Sequence, residues 1–209
     1  MPKSYPITTV LIMTEAVLIP VRMSAPERRQ QLLETALRVF AEDGYYETSM
    51  DALASEAGVT KPVLYQHFAS KHALVIEILN RIGDRLHATI LSAAMTEEVA
   101  RNRFEAGFRA FFQFFHDEPD AFTVLYDSKL GAKPEFGDDA LRIRKAFTEM
   151  VARSINDLDR NQALTIGSGI NGLAQGMVHQ WMDNGRIHSV EEMAALATSL
   201  AWGGLKQVV

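Results

Sequence analysis

The stretch from Thr48 to Lys71 constrains this chain more than any other, because its local signals describe two short helices joined by a tight turn. The hydroxyl of Thr48 can accept a free N–H at the start of the first helix. Gly58 can adopt the left-handed conformation that ends a helix without a Cβ penalty. Thr60 is a second potential cap, and Pro62 falls in a first turn, where a missing N–H costs nothing. The pattern therefore predicts a helix-turn-helix.

The second of these helices has an outward face suited to a nucleic acid. Its side chains combine donors, an aromatic edge and small apolar surface, which match base edges and phosphates in a DNA groove. Between Glu56 and Glu77 there is no acidic residue, whereas two lysines and two histidines lie there. That local sign favours a polyanionic partner. The outward residues are Lys61, Pro62, Val63, Tyr65, Gln66 and His67.

The order of residues in this stretch resembles the helix-turn-helix of TetR-family transcriptional regulators. The segment reads Gly58-Val-Thr-Lys-Pro-Val-Leu-Tyr-Gln-His-Phe-Ala-Ser-Lys71, with the turn glycine, Leu-Tyr, His-Phe and Ser-Lys in register. The resemblance covers residues 24 to about 75 strongly and the remainder only in architecture. It implies a double-stranded DNA operator, a small-molecule effector and a homodimer.

The resemblance also implies roles for individual residues. The start of the second helix is expected to meet base edges, its outer side to hold phosphates, and the start of the first helix to rest on the DNA backbone. Met50 occupies a position where some family members place a base-reading arginine, so specificity is expected to depend on Lys61 and Gln66. Lys61, Pro62 and Val63 are assigned to bases, Tyr65, His67 and Lys71 to phosphates. The predicted DNA contacts are Thr48, Ser49, Thr60, Lys61, Pro62, Val63, Tyr65, Gln66, His67 and Lys71.

Composition limits the remaining possibilities. The chain has 209 residues, which is enough for one or two small domains with a real core. It has no cysteine, so disulfides, zinc–thiolate sites and thiol nucleophiles are excluded, and a cytoplasmic location is expected. A net charge of −5 argues against a polyanion-binding surface all over the protein. A DNA site must therefore be a local patch.

The chain divides into three predicted parts. Residues 1–23 form an extension that we expect to be poorly ordered, because Glu15 and Pro20 interrupt its apolar run and it is too short to span a membrane. Residues 24–70 form the DNA-binding domain, which opens with a capping box from Ser24 to Glu27. Residues 71–209 form an effector-binding and dimerisation domain. No strand alternation competes, so the fold is predicted to be all-α.

The second part of the chain is predicted to contain a series of helices. Ser70 caps a helix that runs to about residue 94, and Asp120 caps a short one after Glu118-Pro119. Residues 131–137 are the expected mobile loop. Further helices are predicted over about 138–158 and 162–184, and Ser189 opens the last.

The glycines after Ile166 match a dinucleotide-binding fingerprint in letters but not in context. Gly167, Gly169 and Gly172 follow the G-x-G-x-x-G spacing, but that motif needs a preceding strand and a parallel sheet. Within a helix each glycine costs about 1 kcal/mol relative to alanine, which close backbone approach must offset. We therefore predict a helical dimer interface. Its residues are Gly169, Gly172, Gly176, Leu196, Leu200 and Trp202.

A stripe of phenylalanines runs through the predicted fifth and sixth helices. Apolar stripes at helical spacing usually face a core, and that interpretation stays open. An effector pocket is the alternative, because aromatics are concentrated here and Gln175 and His179 could orient an elongated apolar ligand, acyl or aromatic. The candidate effector residues are Phe108, Phe112, Phe115, Phe122, Tyr126, Gln175 and His179.

Nothing in the sequence anchors metal or enzyme chemistry. His179 and His188 lack the spacing of metal ligands on one helix face, and paired carboxylates sit at helix starts, where they favour the dipole. We therefore predict no metal, no cofactor and no catalytic residue. The function predicted is a ligand-responsive repressor that an apolar effector releases from a palindromic operator. A helical carrier or enzyme without DNA binding is the alternative.

Overall fold

The computed structural model describes residues 23–127, 134–155 and 158–207, and every regular element within these ranges is helical. The predicted all-α fold is therefore confirmed. Residues 1–22 of the predicted extension and residues 128–133, which include the start of the predicted loop, lie outside the described residues. The elements are α1 (Ala25–Asp43), α2 (Met50–Glu56), α3 (Lys61–His67), α4 (Lys71–Met95), α5 (Ala100–Asp117), α6 (Pro119–Phe122), a π-helical turn (Thr123–Asp127), α7 (Pro134–Ala152), α8 (Arg160–Asp183) and α9 (Val190–Leu205).

A capping box opens α1, and glycines end α1 and the α2 turn, as local signals predict. The Ser24 side chain accepts from the N–H of Glu27, whose carboxylate accepts from the N–H of Ser24, so the predicted capping box is present. Gly44 ends α1 at a φ of 84°, and Gly58 ends the α2 turn at a φ of 64°. Both angles lie in the left-handed region, where a glycine has no Cβ to clash.

The cap of α2 differs from the prediction. Ser49, not Thr48, is the N-cap, and its hydroxyl accepts from the N–H of Ala52 at 3.1 Å. The hydroxyl of Thr48 turns back and donates to the carbonyl of Gly44 at 2.7 Å. The prediction failed because two adjacent hydroxyls can each cap the same turn, and packing decides which one does.

A shared core holds α1, α2 and α3 together. Phe40 and Leu53 are buried beneath Leu64 and Phe68 of the second short helix and its end, and Val59 packs half-buried at the turn. All five belong to one continuous apolar cluster that extends into α4 and α5. Helix α3 is therefore supported on one side by apolar side chains, which leaves its outer side to solvent.

The remaining helices pack around α4. This helix contacts α1, α5 and α7, while α5 lies between α4 and α9, and α7 packs on α8. Ser70 caps α4 and Ser189 opens α9 with a capping box, both as predicted. In the part of the chain that the structure describes, no helix is both long and apolar enough to cross a membrane.

Four predicted boundaries in this half differ from the structure. Helix α6 is capped at Glu118 without a side-chain bond, and Asp120 lies inside its first turn. Helix α7 begins at Pro134 rather than at residue 138 and ends at Ala152. Asp159 caps α8 with a capping box, earlier than the predicted start at Gln162. Where a polar run offers several possible caps, the sequence pattern cannot distinguish between neighbouring starts.

Candidate DNA interface and effector site

The outer side of α3 has the exposure that a DNA-reading helix needs. Lys61, Pro62, Tyr65 and Gln66 are exposed, while Leu64 faces the core on the opposite side. Val63 and His67 are half-buried at the edges of this outer face, and Thr60 is exposed just before it, with no side-chain cap bond. The structure thus brings these seven predicted DNA contacts together on one surface: Thr60, Lys61, Pro62, Val63, Tyr65, Gln66 and His67.

Lys61 has a carboxylate partner in space that the acid-free sequence window conceals. Its Nζ donates to Oδ2 of Asp51 at 2.8 Å, and both side chains are exposed. The hydrogen bond that Lys61 donates to Asp51 raises the pKa of Lys61 above its ordinary value, so the ammonium stays charged. The positive patch predicted from the sequence therefore contains an acidic group from α2.

Two residues predicted to contact the DNA backbone, Thr48 and Lys71, make hydrogen bonds inside the protein instead. Thr48 is only 4% exposed, and its hydroxyl is engaged by Gly44, so Thr48 does not offer its side chain to a phosphate. The Nζ of Lys71 donates to the carbonyls of Tyr45 and Thr48, each at 2.7 Å, and lies 4.3 Å from the centre of the Tyr45 ring. Desolvation by these neighbours lowers the pKa of Lys71. Lys71 thus braces the loop before α2.

The outward residue at the start of α2 is not the one that the sequence suggested. Met50, assigned to an arginine position, is only 8% exposed and belongs to the core. Asp51 is the neighbouring exposed residue, and Ser49 remains exposed as the cap. Asp51 is therefore the exposed polar side chain in the first turn of α2.

Two arginines near the reading helix were missed in the sequence. A groove of about 650 Å³ beside α3 includes Arg28, Val63 and Gln66 among its lining residues, so Arg28 lies near the outer face of α3. Arg29 pairs with Glu77 of α4, donates to the carbonyl of His67 and lies 4.2 Å from the centre of the Phe68 ring. Arg29 therefore locks the end of α3 to α4. Neither residue falls in a recognisable local motif, so only the fold reveals these roles.

The candidate effector residues divide into two groups in space. Phe115, Phe122, Tyr126 and His179 form a cluster in which Phe122 lies 5.0 Å and Tyr126 6.1 Å from the ring of His179. The Phe115 ring lies 5.8 Å from Phe122 and 5.5 Å from Tyr126. Burial raises the pKa of Tyr126, which keeps its phenol neutral. This cluster combines the buried phenyl rings of Phe115 and Phe122 with an imidazole and a phenol.

The other effector candidates lie around this cluster with different partners. Phe112 is buried against Trp181 at 5.6 Å, and Phe108 packs beside Phe104 at 6.5 Å, toward α9. The side-chain amide of Gln175 donates to Oδ1 of Asn171 at 3.2 Å on α8. Phe112 and Phe108 thus serve as core residues in this structure, and Gln175 already has a polar partner.

The glycines of α8 fall on two different surfaces. A Cβ at Gly167 would lie 2.6 Å from the carbonyl oxygen of Thr148, so this glycine permits close packing of α8 on α7. A Cβ at Gly169, Gly172 or Gly176 would meet nothing within 4 Å. These three glycines are exposed. The close backbone approach that we expected to offset their cost in a helix is therefore not found within the chain.

Helix α9, which packs on α8, also exposes large apolar side chains. Leu196 is 49% exposed and Leu200 is 60% exposed, whereas Trp202 is half-buried at 5.7 Å from the Phe104 ring of the same chain. A groove of about 300 Å³ lined in part by Gly176, Trp181 and Ile187 continues along this side. The dimer-interface candidates other than Trp202 therefore present unpartnered surface within the single chain.

Among the residues that the structure describes, no group of three or more His, Asp or Glu side chains is arranged to hold a metal ion. The G-x-G-x-x-G segment lies within α8, so the strand that a dinucleotide site needs is absent at that place. The described residues therefore present an exposed face of α3 and an aromatic core.

Comparisons with known proteins agree with this geometry. The family model described as "Bacterial regulatory proteins, tetR family" matches residues 32–78. The HTH-type transcriptional activator FasR of Mycolicibacterium smegmatis is 32% identical over 190 residues, which cover 90% of this chain and 87% of FasR.

Solved structures extend the agreement to the whole fold. A TetR-like transcriptional regulator from Rhodococcus sp. RHA1 is 28% identical with a TM-score of 0.75, covering 88% of this chain and 99% of that one. FadR from Bacillus subtilis, solved in complex with stearoyl-CoA, shares the fold at 16% identity with a TM-score of 0.73, covering 82% of this chain and 96% of that one. These structures match an N-terminal helix-turn-helix followed by a larger helical domain. The family model, the FasR identity and the shared fold together establish that this chain belongs to the TetR family of DNA-binding transcriptional regulators.

Proposed function

We propose that this protein is a dimeric, ligand-released DNA-binding regulator that an elongated apolar effector controls. The observation that carries the proposal is the outer face of α3, which presents Lys61, Tyr65 and Gln66 to solvent above a buried Leu64. A helical carrier or enzyme would not require these exposed donors. They match the donor and acceptor groups of the DNA major groove.

The proposed DNA contacts follow from exposure. The first residues of α3 are Lys61, Pro62 and Val63, and the N-terminal residues of a DNA-reading helix are those that contact base edges. Gln66 lies one turn further along the helix. Tyr65 and His67 are proposed to hold phosphates, with Ser49 and Thr60 at the flanking helix starts. We add Arg28 to the phosphate contacts and withdraw Thr48 and Lys71, whose polar atoms are engaged within the protein.

The proposal requires two copies, because one copy offers few cations. The unpartnered face of α8 and α9 supports a two-fold dimer, with Leu196 and Leu200 meeting the glycine surface of the other subunit. Residues 24–70 would form the reading domain and 71–209 the dimerisation and effector domain. Two reading helices related by a two-fold axis would bind a near-palindrome, with half-sites about 34–36 Å apart or at a multiple of that spacing.

The proposed effector site is the cluster of Phe115, Phe122, Tyr126 and His179. Its aromatic walls favour an apolar chain, and its imidazole could orient a polar end. The stearoyl-CoA complex of FadR shows only that this fold can accept a long acyl thioester, since identity is low. Effector binding would tilt α4, which contacts α1, α5 and α7, and change the separation of the two reading helices.

The direction of regulation is proposed as repression relieved by ligand. Activation is a second candidate, because the relative FasR is named an activator. The geometry of release is the same in both, since the position of the operator relative to the promoter sets the sign. A reporter gene behind the selected operator separates them: deletion of the regulator raises expression for a repressor and lowers it for an activator.

Duplex binding at two salt concentrations tests the central proposal. Selection from random duplexes should yield a near-palindromic sequence, and its affinity should fall steeply as salt rises, because each phosphate contact releases counterions. Binding that is absent, or weak and independent of sequence, would favour a carrier or enzyme instead. Addition of fatty acyl thioesters to the complex then tests release, with a coupling of about 1–3 kcal/mol expected.

A further inference from the structure

Asp51 and Lys61 form one exposed acid–base pair at the start of the reading surface. Asp51 lies in the first turn of α2 and Lys61 in the first turn of α3, so the pair joins both helices of the motif at the end that meets DNA. The Nζ and Oδ2 atoms are 2.8 Å apart, and 67% of the Asp51 side chain is exposed. Exposed pairs of this kind contribute little to stability, so the fold does not require it.

A carboxylate at this place is costly on DNA unless it has a partner there. Phosphates surround the groove, and an acid facing them weakens binding to every sequence alike. Lys61 alone would leave the Asp51 oxygens unpaired when it turns to a base. A donor on a base edge beside the lysine target would remove that cost.

We propose that Asp51 and Lys61 act together as one reading unit that specifies a G·C pair, with Lys61 on guanine and Asp51 on the paired cytosine; this rests on the proposed DNA-reading role of Lys61. In the major groove, guanine O6 is an acceptor and cytosine N4 a donor. These two atoms are hydrogen-bonded to each other, so they lie about 2.9 Å apart. A donor and an acceptor 2.8 Å apart on the protein match that spacing.

The neighbouring groups of each base pair decide among the four possibilities. With C·G or A·T in the same orientation, the Lys61 ammonium would face an amino group of the base, and the Asp51 carboxylate would face a carbonyl oxygen. T·A offers the right order at its centre, but it sets the thymine methyl beside the ammonium and adenine N7, an acceptor, beside the carboxylate. G·C instead sets guanine N7 beside the ammonium and no acceptor beside the carboxylate. Only G·C satisfies both charged groups.

The test compares the base preferences of four proteins on duplexes selected from a random pool. Wild type, Asp51→Ala, Lys61→Ala and the double variant are each measured on the selected palindrome with every symmetric base pair changed in turn. Asp51→Ala and Lys61→Ala should each lose about 5- to 150-fold of discrimination at the same pair. The double variant should lose no more than either alone, because the two side chains act as a unit.

Glu56→Ala provides the control for charge. Glu56 lies at the other end of α2 and pairs with Arg38 at 2.6 Å, so its removal takes the same charge from the same helix. It should bind all duplexes slightly more tightly with unchanged preferences. Asp51→Asn keeps the shape of the side chain. It should weaken the preference for G·C and tolerate adenine in place of the cytosine, because an amide can both donate and accept hydrogen bonds. Thermal unfolding checks that each variant folds.

Two outcomes overturn the inference while the proposed function stands. Asp51→Ala could bind every duplex more tightly with unchanged preferences, as Glu56→Ala should, in which case Asp51 contributes only its charge. The two single variants could instead relax different base pairs, in which case they do not act on one G·C pair. If wild type selects no sequence at all, the proposed function fails, and the inference fails with it.

Discussion

Gly167 and Gly169 stand two residues apart on α8, yet a methyl group at each should have opposite effects. Gly167→Ala sets a Cβ against the Thr148 carbonyl oxygen at 2.6 Å, and because backbone cannot move aside cheaply, we expect a loss of about 1–3 kcal/mol in the free energy of unfolding. Gly169→Ala has open space within its own chain, so in a dissociated subunit it should stabilise the helix by about 0.5–1 kcal/mol. Urea unfolding at a protein concentration low enough to dissociate the proposed dimer measures both. A destabilised Gly169→Ala with intact Gly167→Ala would reverse the assignment of the two surfaces.

A second residue pair separates base reading from phosphate contact. Lys61→Ala should relax discrimination at one base pair by about 1–3 kcal/mol, because a positioned ammonium is lost from a base edge. Tyr65→Phe removes one exposed hydroxyl and should weaken binding to all sequences equally. Titration of the selected operator and its single-pair variants gives both values. A sequence-dependent effect of Tyr65→Phe would move Tyr65 into the base-reading set.

At the scale of elements, Phe136 of α7 packs against the loop before α2 and the first turn of α4. Phe136 is fully buried, with its ring edge-on to Tyr45 at 5.1 Å and stacked on His72 at 5.0 Å. Phe136→Ala should lower the free energy of unfolding by about 3–5 kcal/mol, because truncation of a buried aromatic leaves a cavity. Met95→Ala, at an exposed end of α4, should change it by less than about 0.5 kcal/mol. Equal effects in denaturant titrations would contradict the packing described for α7.

At the scale of the whole molecule, the exposed face of α8 and α9 decides the state of assembly. Leu200→Glu should break the proposed dimer, because a desolvated carboxylate at the centre of an apolar interface has no partner. Sedimentation should then give the single-chain mass of 23.3 kDa, and operator affinity should fall with it. Leu141→Glu, on an exposed position of α7, is the matched control and should stay dimeric. A Leu200→Glu variant that remains dimeric would assign the interface to another surface.

The sequence by itself determined the helix-turn-helix, because the left-handed Gly58 and the first-turn Pro62 act within a few residues of the backbone they control, although Ser49 rather than Thr48 caps α2. Its apolar spacing also determined which side of α3 is buried. Tertiary structure alone decided what the polar groups do. Lys61 hydrogen-bonds Asp51, Lys71 hydrogen-bonds the carbonyl of Tyr45, and Gly167 lets the Thr148 backbone approach closely. In each case the two residues are far apart in sequence, and the packing of the elements brings them together. Local patterns fix where a helix begins and ends, but a contact between helices depends on how they pack.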